Sequence, residues 1–208
     1  MPVVLVFGDS NAWGFWPGEG GRMAPDVRWP GVMARALGKG FAVIEEGLCG
    51  RTTVFEDVEE EGRNGLVYFG PCVRSHAPLD LVVIALGCND VKAQFAATPE
   101  TIAAGAERLV DLALASTTGP AGAPPTVILV APPPLSTLTE YAEMFEGGAE
   151  KTLRLPSLYR ALAEDRGIGF VDAGEFIACS PADGIHYAPD QHGALGVVLA
   201  EAVRMMLE

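Results

Sequence analysis

The amino-acid sequence predicts an α/β fold: residues 1–208 as one domain, a three-layer α/β/α sandwich around a five-stranded parallel sheet. Three observations predict it. Short β-branched runs alternate along the chain with longer stretches of helical spacing, the pattern of strands joined by covering helices. The strongest short runs are continuously apolar, as strands buried on both faces require. The chain has 208 residues, 49% hydrophobic and 20% charged, which suits a single core and argues against disorder.

The elements follow in order. Pro2 to Phe7 is an unbroken apolar run and reads as the first strand. Val27 to Leu37 has helical spacing, with Trp29, Val32, Met33 and Leu37 apolar and Gly38 as a stop. Phe41 to Glu45 reads as the second strand, and Leu81 to Leu86 gives the strongest strand signal, closed by Gly87. A helix from Thr98 to Ser116 opens with Thr98 as cap, Pro99 in the first turn and Glu100 facing the positive dipole end. Thr126 to Val130 is the fourth strand and Gly148 to Arg166 the next helix. Gly169 to Val171 is a short fifth strand, and Pro189 to Leu207 is the last helix. The segments Trp16 to Asp26, Val54 to Pro78 and Pro132 to Gly147 are rich in Gly, Pro and charge. They read as long loops, which in compact domains form binding walls, lids or subunit contacts.

The formal net charge of −13 makes nucleic acid and anionic membrane poor partners and favours a neutral substrate. The four cysteines, Cys49, Cys72, Cys88 and Cys179, form no C-x-x-C pair and read as free thiols of a reducing compartment. No apolar run approaches the roughly 20 residues that span a bilayer, and the first one ends in Gly8-Asp9-Ser10, unlike a signal peptide. A cytoplasmic protein is expected, and no metal or cofactor is.

Function in such sheets gathers at the carboxyl ends of the strands. Ser10 lies just past the first strand, Gly50 past the second and Asn89 past the third, while Asp183 and His186 precede the last helix. Each has an ordinary reading alone: Asp9-Ser10 as a helix cap, Gly50 and Asn89-Asp90 as turns. Together they compose a site for acyl transfer. A serine hydroxyl needs a base, and His186, three residues after Asp183, is the best placed of the three histidines. His76 reads as a loop residue and His192 as part of the last helix, and no pair has metal-ligand spacing. Negative charge on a carbonyl oxygen needs N–H donors, which Ser10, Gly50 and the Asn89 amide can supply. Asp26, Arg28 and Arg51 are candidates for a structural ion pair nearby. Trp13, Phe15 and Trp16 follow the serine closely and are candidates for the wall of the substrate pocket.

These four blocks resemble, in order, spacing and placement, the SGNH (GDSL-type) hydrolases. Ser10, Gly50, Asn89 in Gly87-Cys88-Asn89-Asp90, and Asp183-Gly184-Ile185-His186 match the four family blocks, and the resemblance covers essentially the whole chain. It implies a flavodoxin-like SGNH hydrolase fold and catalysis by Ser10, His186 and Asp183. Further stretches, Ala24-Pro25-Asp26-Val27-Arg28-Trp29, Arg51-Thr52-Thr53 and Phe145-Glu146-Gly147-Gly148, look like the bacterial arylesterase, acyltransferase and perhydrolase subgroup. That implies small neutral esters as substrates, transfer of the acyl group to alcohols or peroxide, a homo-oligomer built through the long loops, and Met144 and Ile185 as further pocket residues. Two positions depart from the subgroup: Asn11 replaces an apolar residue beside the serine, and Cys88 a small polar one; both are expected to bear on acyl preference from the pocket. A carbohydrate esterase is the alternative within the family. Outside it stands a non-catalytic flavodoxin-like binding module, which predicts a phosphate-cradling glycine loop that Gly8-Asp9-Ser10-Asn11 is not.

Overall fold

The computed structural model describes residues 1–208. Its centre is a five-stranded sheet in the order β2-β1-β3-β4-β5, every neighbouring pair parallel. The strands are β1 (Val3–Gly8), β2 (Ala42–Gly47), β3 (Leu81–Ala85), β4 (Thr126–Ala131) and β5 (Gly169–Asp172). The continuously apolar runs occupy the three central strands, where both faces are covered. The edge strand β2 is half-buried throughout and carries Glu45 and Glu46. Charges on an edge strand also discourage pairing with another chain.

The helices are α1 (Ser10–Trp13), α2 (Trp29–Leu37), α3 (Gly65–Ser75), α4 (Pro99–Leu114), α5 (Gly148–Thr152), α6 (Leu155–Arg166) and α7 (Pro189–Leu207). Helices α2 and α7 pack together over one face of the sheet, and α3, α4 and α6 form the opposite layer. Trp29, Met33, Leu195 and Leu199 fill the first interface; Phe69, Ile102, Leu109 and Tyr159 are fully buried in the second. No helix is long and apolar enough to cross a membrane.

Two sequence expectations need correction. The expected loop Val54 to Pro78 contains the eleven-residue helix α3, capped by the Asn64 side chain on the Val67 N–H. Gly70-Pro71 in its interior disguises it, since both residues ordinarily break helices. Burial of Phe69, Cys72 and Val73 against the sheet layer outweighs that preference. The expected helix Gly148 to Arg166 is two helices, broken at Leu153-Arg154. Pro156 has no N–H to continue the ladder from Thr152, so a new helix starts around it.

Candidate active site

Ser10 enters the site because β1 ends in Gly8 and the chain turns at once into the single turn of α1. Asp9 caps that turn, its Oδ1 accepting the Asn11 N–H at 2.9 Å. Space for the turn comes from Gly47 at the end of β2. A Cβ there would lie 2.3 Å from the Trp13 backbone nitrogen. Burial pushes the Asp9 carboxyl up to about 6, against the opposing pull of the Asn11 N–H, His186 and Arg51.

His186 sits in the loop before α7 with its Nε2 2.9 Å from Ser10 Oγ and its Nδ1 2.7 Å from Asp183 Oδ2. The other carboxylate oxygen, Asp183 Oδ1, accepts the Ile185 and His186 N–H groups at 2.9 Å each. The three-residue spacing thus makes a closed turn, with Gly184 at φ +84° in the left-handed region. Burial pushes the Asp183 carboxyl up, but the hydrogen bonds from the His186 ring and the two backbone N–H groups outweigh it. The group therefore lies below the usual carboxylate range. The neutral imidazole is set to donate through Nδ1 and accept through Nε2.

The loop after β2 and the turn after β3 meet opposite His186. Gly50 has φ +75°, and a Cβ there would come within 3.0 Å of the Glu60 carboxylate and 3.1 Å of the Arg63 guanidinium. Asn89 donates one amide hydrogen to the Arg51 C=O at 3.1 Å, leaving its second for the cleft. Asp90, fully buried beside it, accepts the Thr53 N–H at 2.9 and 3.1 Å and the Thr53 hydroxyl. Desolvation pushes the Asp90 carboxyl up to about 7 in spite of these bonds. Arg51 donates to the Gly8 C=O at 2.9 Å and to the Glu46 C=O, and its guanidinium lies 4.1 Å from the centre of the Phe7 ring. It therefore fastens the ends of β1 and β2 together.

A cleft of about 430 Å³ opens over Ser10, His186, Gly50 and Asn89. Phe15, Tyr141, Met144, Phe145 and Ile185 give it an apolar lining, and Cys49, Glu59, Glu60 and Lys92 a more polar one. Phe15 lies against the His186 ring, centroids 4.3 Å apart. Lys92 pairs with Asp57 at 3.1 Å, both side chains almost fully buried. Burial pushes the Cys49 thiol up to about 11, with Asp9 adding to the effect, so this cleft thiol stays protonated at neutral pH.

Of the pocket residues expected from sequence, Phe15, Met144 and Ile185 line the cleft, and Asn11, Trp13, Trp16 and Cys88 do not. Asn11 is on the buried side of α1, beside a small void of about 20 Å³. Trp13 turns outward, where Arg22 covers its ring at 5.2 Å and donates to its C=O. Trp16 is exposed beyond the cleft. Cys88 packs into the core, and burial holds its thiol well above the ordinary range. Asp26, Arg28 and Arg51 form no shared ion pair: Arg28 pairs with Glu45, Arg51 bonds carbonyls, and Asp26 has no ion-pair partner. His76 closes α3 and pairs with Glu46 at 2.8 Å; with Cys72 these form the one grouping of metal-ligating side chains, and none of the three lines the cleft. His192 is fully buried, accepting the Trp29 N–H at 3.2 Å, and burial lowers its pKa to about 4. It joins α7 to α2 and stays neutral.

Nothing in the sequence marks Tyr141, Phe145, Cys49, Glu59, Glu60 and Lys92 as cleft residues. All but Lys92 lie in the irregular loops, where no periodicity says which side chain turns inward.

The chain matches the model of the GDSL-like lipase/acylhydrolase family over residues 6–194. No protein of curated function matches it significantly. Among solved structures it is similar to the native aryl esterase of M. smegmatis, at 45% identity and a TM-score of 0.95 with both chains covered in full. It is also similar to a carbohydrate acetylesterase from Sinorhizobium meliloti, 40% identical over 99% of both chains, again with a TM-score of 0.95. A lipase/acylhydrolase from Enterococcus faecalis, 18% identical over 100% of this chain and 98% of its own, shares the fold with a TM-score of 0.71.

Proposed function

The chain belongs to the GDSL-like lipase/acylhydrolase family, and we propose that it is a serine esterase that cleaves small, uncharged carboxylic esters through an acyl-enzyme on Ser10. The observation that carries this reading is the continuous hydrogen-bonded chain Ser10–His186–Asp183, at 2.9 and 2.7 Å, at the bottom of an open cleft.

Ser10 Oγ attacks the ester carbonyl carbon as His186 Nε2 takes its proton, and the buried Asp183 carboxylate stabilises the imidazolium through Nδ1. The tetrahedral oxyanion is held by the N–H groups of Ser10 and Gly50 and the second amide hydrogen of Asn89. Collapse breaks the bond to the leaving oxygen, which departs with the proton from His186. Water then attacks the acyl carbon, giving its proton to the same imidazole, and Ser10 leaves as the restored hydroxyl. Each proton taken is returned, so the cycle balances without a cofactor.

The apolar wall of Phe15, Tyr141, Met144, Phe145 and Ile185 suits an aryl or short alkyl group, in line with the aryl esterase it resembles. That wall also favours an alcohol over water as acyl acceptor, since bound alcohol reaches effective concentrations bulk water does not match. The polar part of the lining supports a second reading. Glu59 and Glu60, exposed at the cleft, offer polar contacts of the kind a sugar acetate needs, in line with the acetylesterase neighbour. Exposed Trp16 and Val58 on the long loops and Tyr68 on α3 support assembly into a homo-oligomer, and four free cysteines suit a reducing, cytoplasmic setting.

A fluorophosphonate probe tests the esterase reading: it labels the wild type and not Ser10→Ala. Rates on phenyl acetate, p-nitrophenyl acetate and acetylated sugars, with product ratios in dilute primary alcohol, then rank the substrates and acceptors. Absence of labelling together with no turnover on any ester would overturn the proposal.

A further inference from the structure

Asn11 follows the nucleophile, yet it is 96% hidden and faces away from the cleft. Its carboxamide spans to the loop that carries the base. Oδ1 accepts the Tyr187 N–H at 3.1 Å, and Nδ2 donates to the Ile185 C=O at 3.4 Å. These are the peptide groups on either side of His186, and their polarity fixes which way the amide points. Apart from the His186–Ser10 bond itself, they are the only hydrogen bonds between α1 and residues 183–187.

Asp183 does not do this work. It lies in the same turn as His186 and moves with it, so the Asp183–His186 bond orients the ring within the loop. The loop is also held by the Ser180 N–H on the His186 C=O and the Ser136 N–H on the Gly184 C=O, but its ties to the nucleophile's own helix are those of Asn11. Asn11 is in turn held at its backbone N–H by Asp9. Resting on the reading of Ser10 and His186 as nucleophile and base, we propose that Asn11 is a positioning residue: its carboxamide clamps the base-bearing loop to the nucleophile-bearing turn and sets the His186–Ser10 separation of 2.9 Å. A small misplacement of a reacting group is enough to slow an oriented proton transfer by up to ~10²-fold.

Asn11→Leu keeps the branched heavy-atom skeleton with somewhat more bulk, removes both bonds and leaves two buried peptide groups unpaired. The expected result on p-nitrophenyl acetate is a kcat lower by about 10–100-fold with KM little changed. A role confined to folding would lower Tm and leave kcat per folded molecule intact. The discriminating measurement is a double-mutant cycle on the rate at which a fluorophosphonate labels Ser10. Asn11→Leu slows labelling when His186 is present and has no further effect in His186→Ala, because Asn11 acts through that imidazole. The Nδ1 proton resonance of His186 persists in Asn11→Leu, since the bond to Asp183 is internal to the loop. Equal slowing in both backgrounds, or an unchanged rate in the first, would overturn the inference. If Asn11→Leu does not fold, Asn11→Ser, which keeps a hydroxyl for one partner, carries the same comparison; loss of folding in both would also overturn it. Normal turnover by Ser10→Ala would sink the underlying reading, whereas an inactive Ser10→Ala with Asn11→Leu at wild-type rate sinks only the Asn11 assignment.

Discussion

The floor of the cleft and its rim are built by different means. At the floor and just beneath it, Ser10, Asn11, Arg51, Asn89, Asp90, Asp183 and His186 are all buried, and hydrogen bonds join residues far apart in the chain. On the rim, Met144 is 43% exposed and Glu59 and Glu60 are exposed on a loop, with Glu60 paired only to its near neighbour Arg63. Buried polar groups tolerate little movement, because each broken bond leaves an unsolvated partner. Exposed side chains exchange protein contacts for water at small cost. On the proposed function, the difference assigns the two tasks: the floor is the part that would fix the transition state, and the rim the part that would adjust which ester reaches it.

Substitutions that break the floor have the largest expected effects. His186→Ala and Asp183→Asn each lower kcat/KM by at least ~10³-fold, and adding either to Ser10→Ala changes little, since members of one unit are not additive. Steady-state kinetics on a single ester check this; full activity in His186→Ala would move the base elsewhere. Asn89→Ala acts on charge that appears only in the transition state. Its expected loss is roughly 2.7–4 kcal/mol in kcat with KM little altered, and a KM effect with normal kcat would contradict the role.

Asp90 sharpens the comparison through pH. Its folded carboxyl titrates at about 7, pushed up by burial, against roughly 3.9 in the unfolded chain. The folded state therefore holds the proton to higher pH. The stability this contributes is complete below about pH 4 and is lost as pH rises through 7. Asp90→Asn keeps an acceptor for Thr53 and cannot titrate. Its stability relative to wild type should rise between pH 5 and pH 8 by roughly 2–4 kcal/mol, read by urea unfolding at both pH values. A constant difference would show that Asp90 stays charged across the range. On the rim, Met144→Ala should change KM by no more than a few-fold, roughly 1 kcal/mol or less, and leave kcat alone. A large kcat loss would mean the rim takes part in the chemistry.

The floor was largely legible in the sequence, and the rim was not. Ser10, Gly50, Asn89, Asp183 and His186 each sit at a fixed offset from a strand end or from the last helix, so the strand pattern alone brings them to one edge of the sheet. Gly50 and Gly184 carry backbone angles that other residues rarely adopt. Asn11 stands out beside Ser10 and its sequence position points to the pocket, but on a helix adjacent residues turn to different sides, and the structure turns it away from the cleft. Its partners lie 174 and 176 residues away, beyond any local pattern. Helix α3 was hidden by Gly70-Pro71, whose local preferences are overruled by the burial of Phe69 and Cys72. Tyr141, Phe145 and Glu59 became cleft residues only through loop conformations that tertiary contacts set.

An acyl group that passes through Ser10 can be trapped there. Protein mixed with p-nitrophenyl acetate, quenched in acid within the first turnovers and digested, should carry one acetyl group on the peptide containing Ser10. The same peptide from His186→Ala should carry far less. An acetyl group found instead on Cys49 or Cys88, or undiminished turnover in Ser10→Ala with no acetylated peptide, would contradict the account.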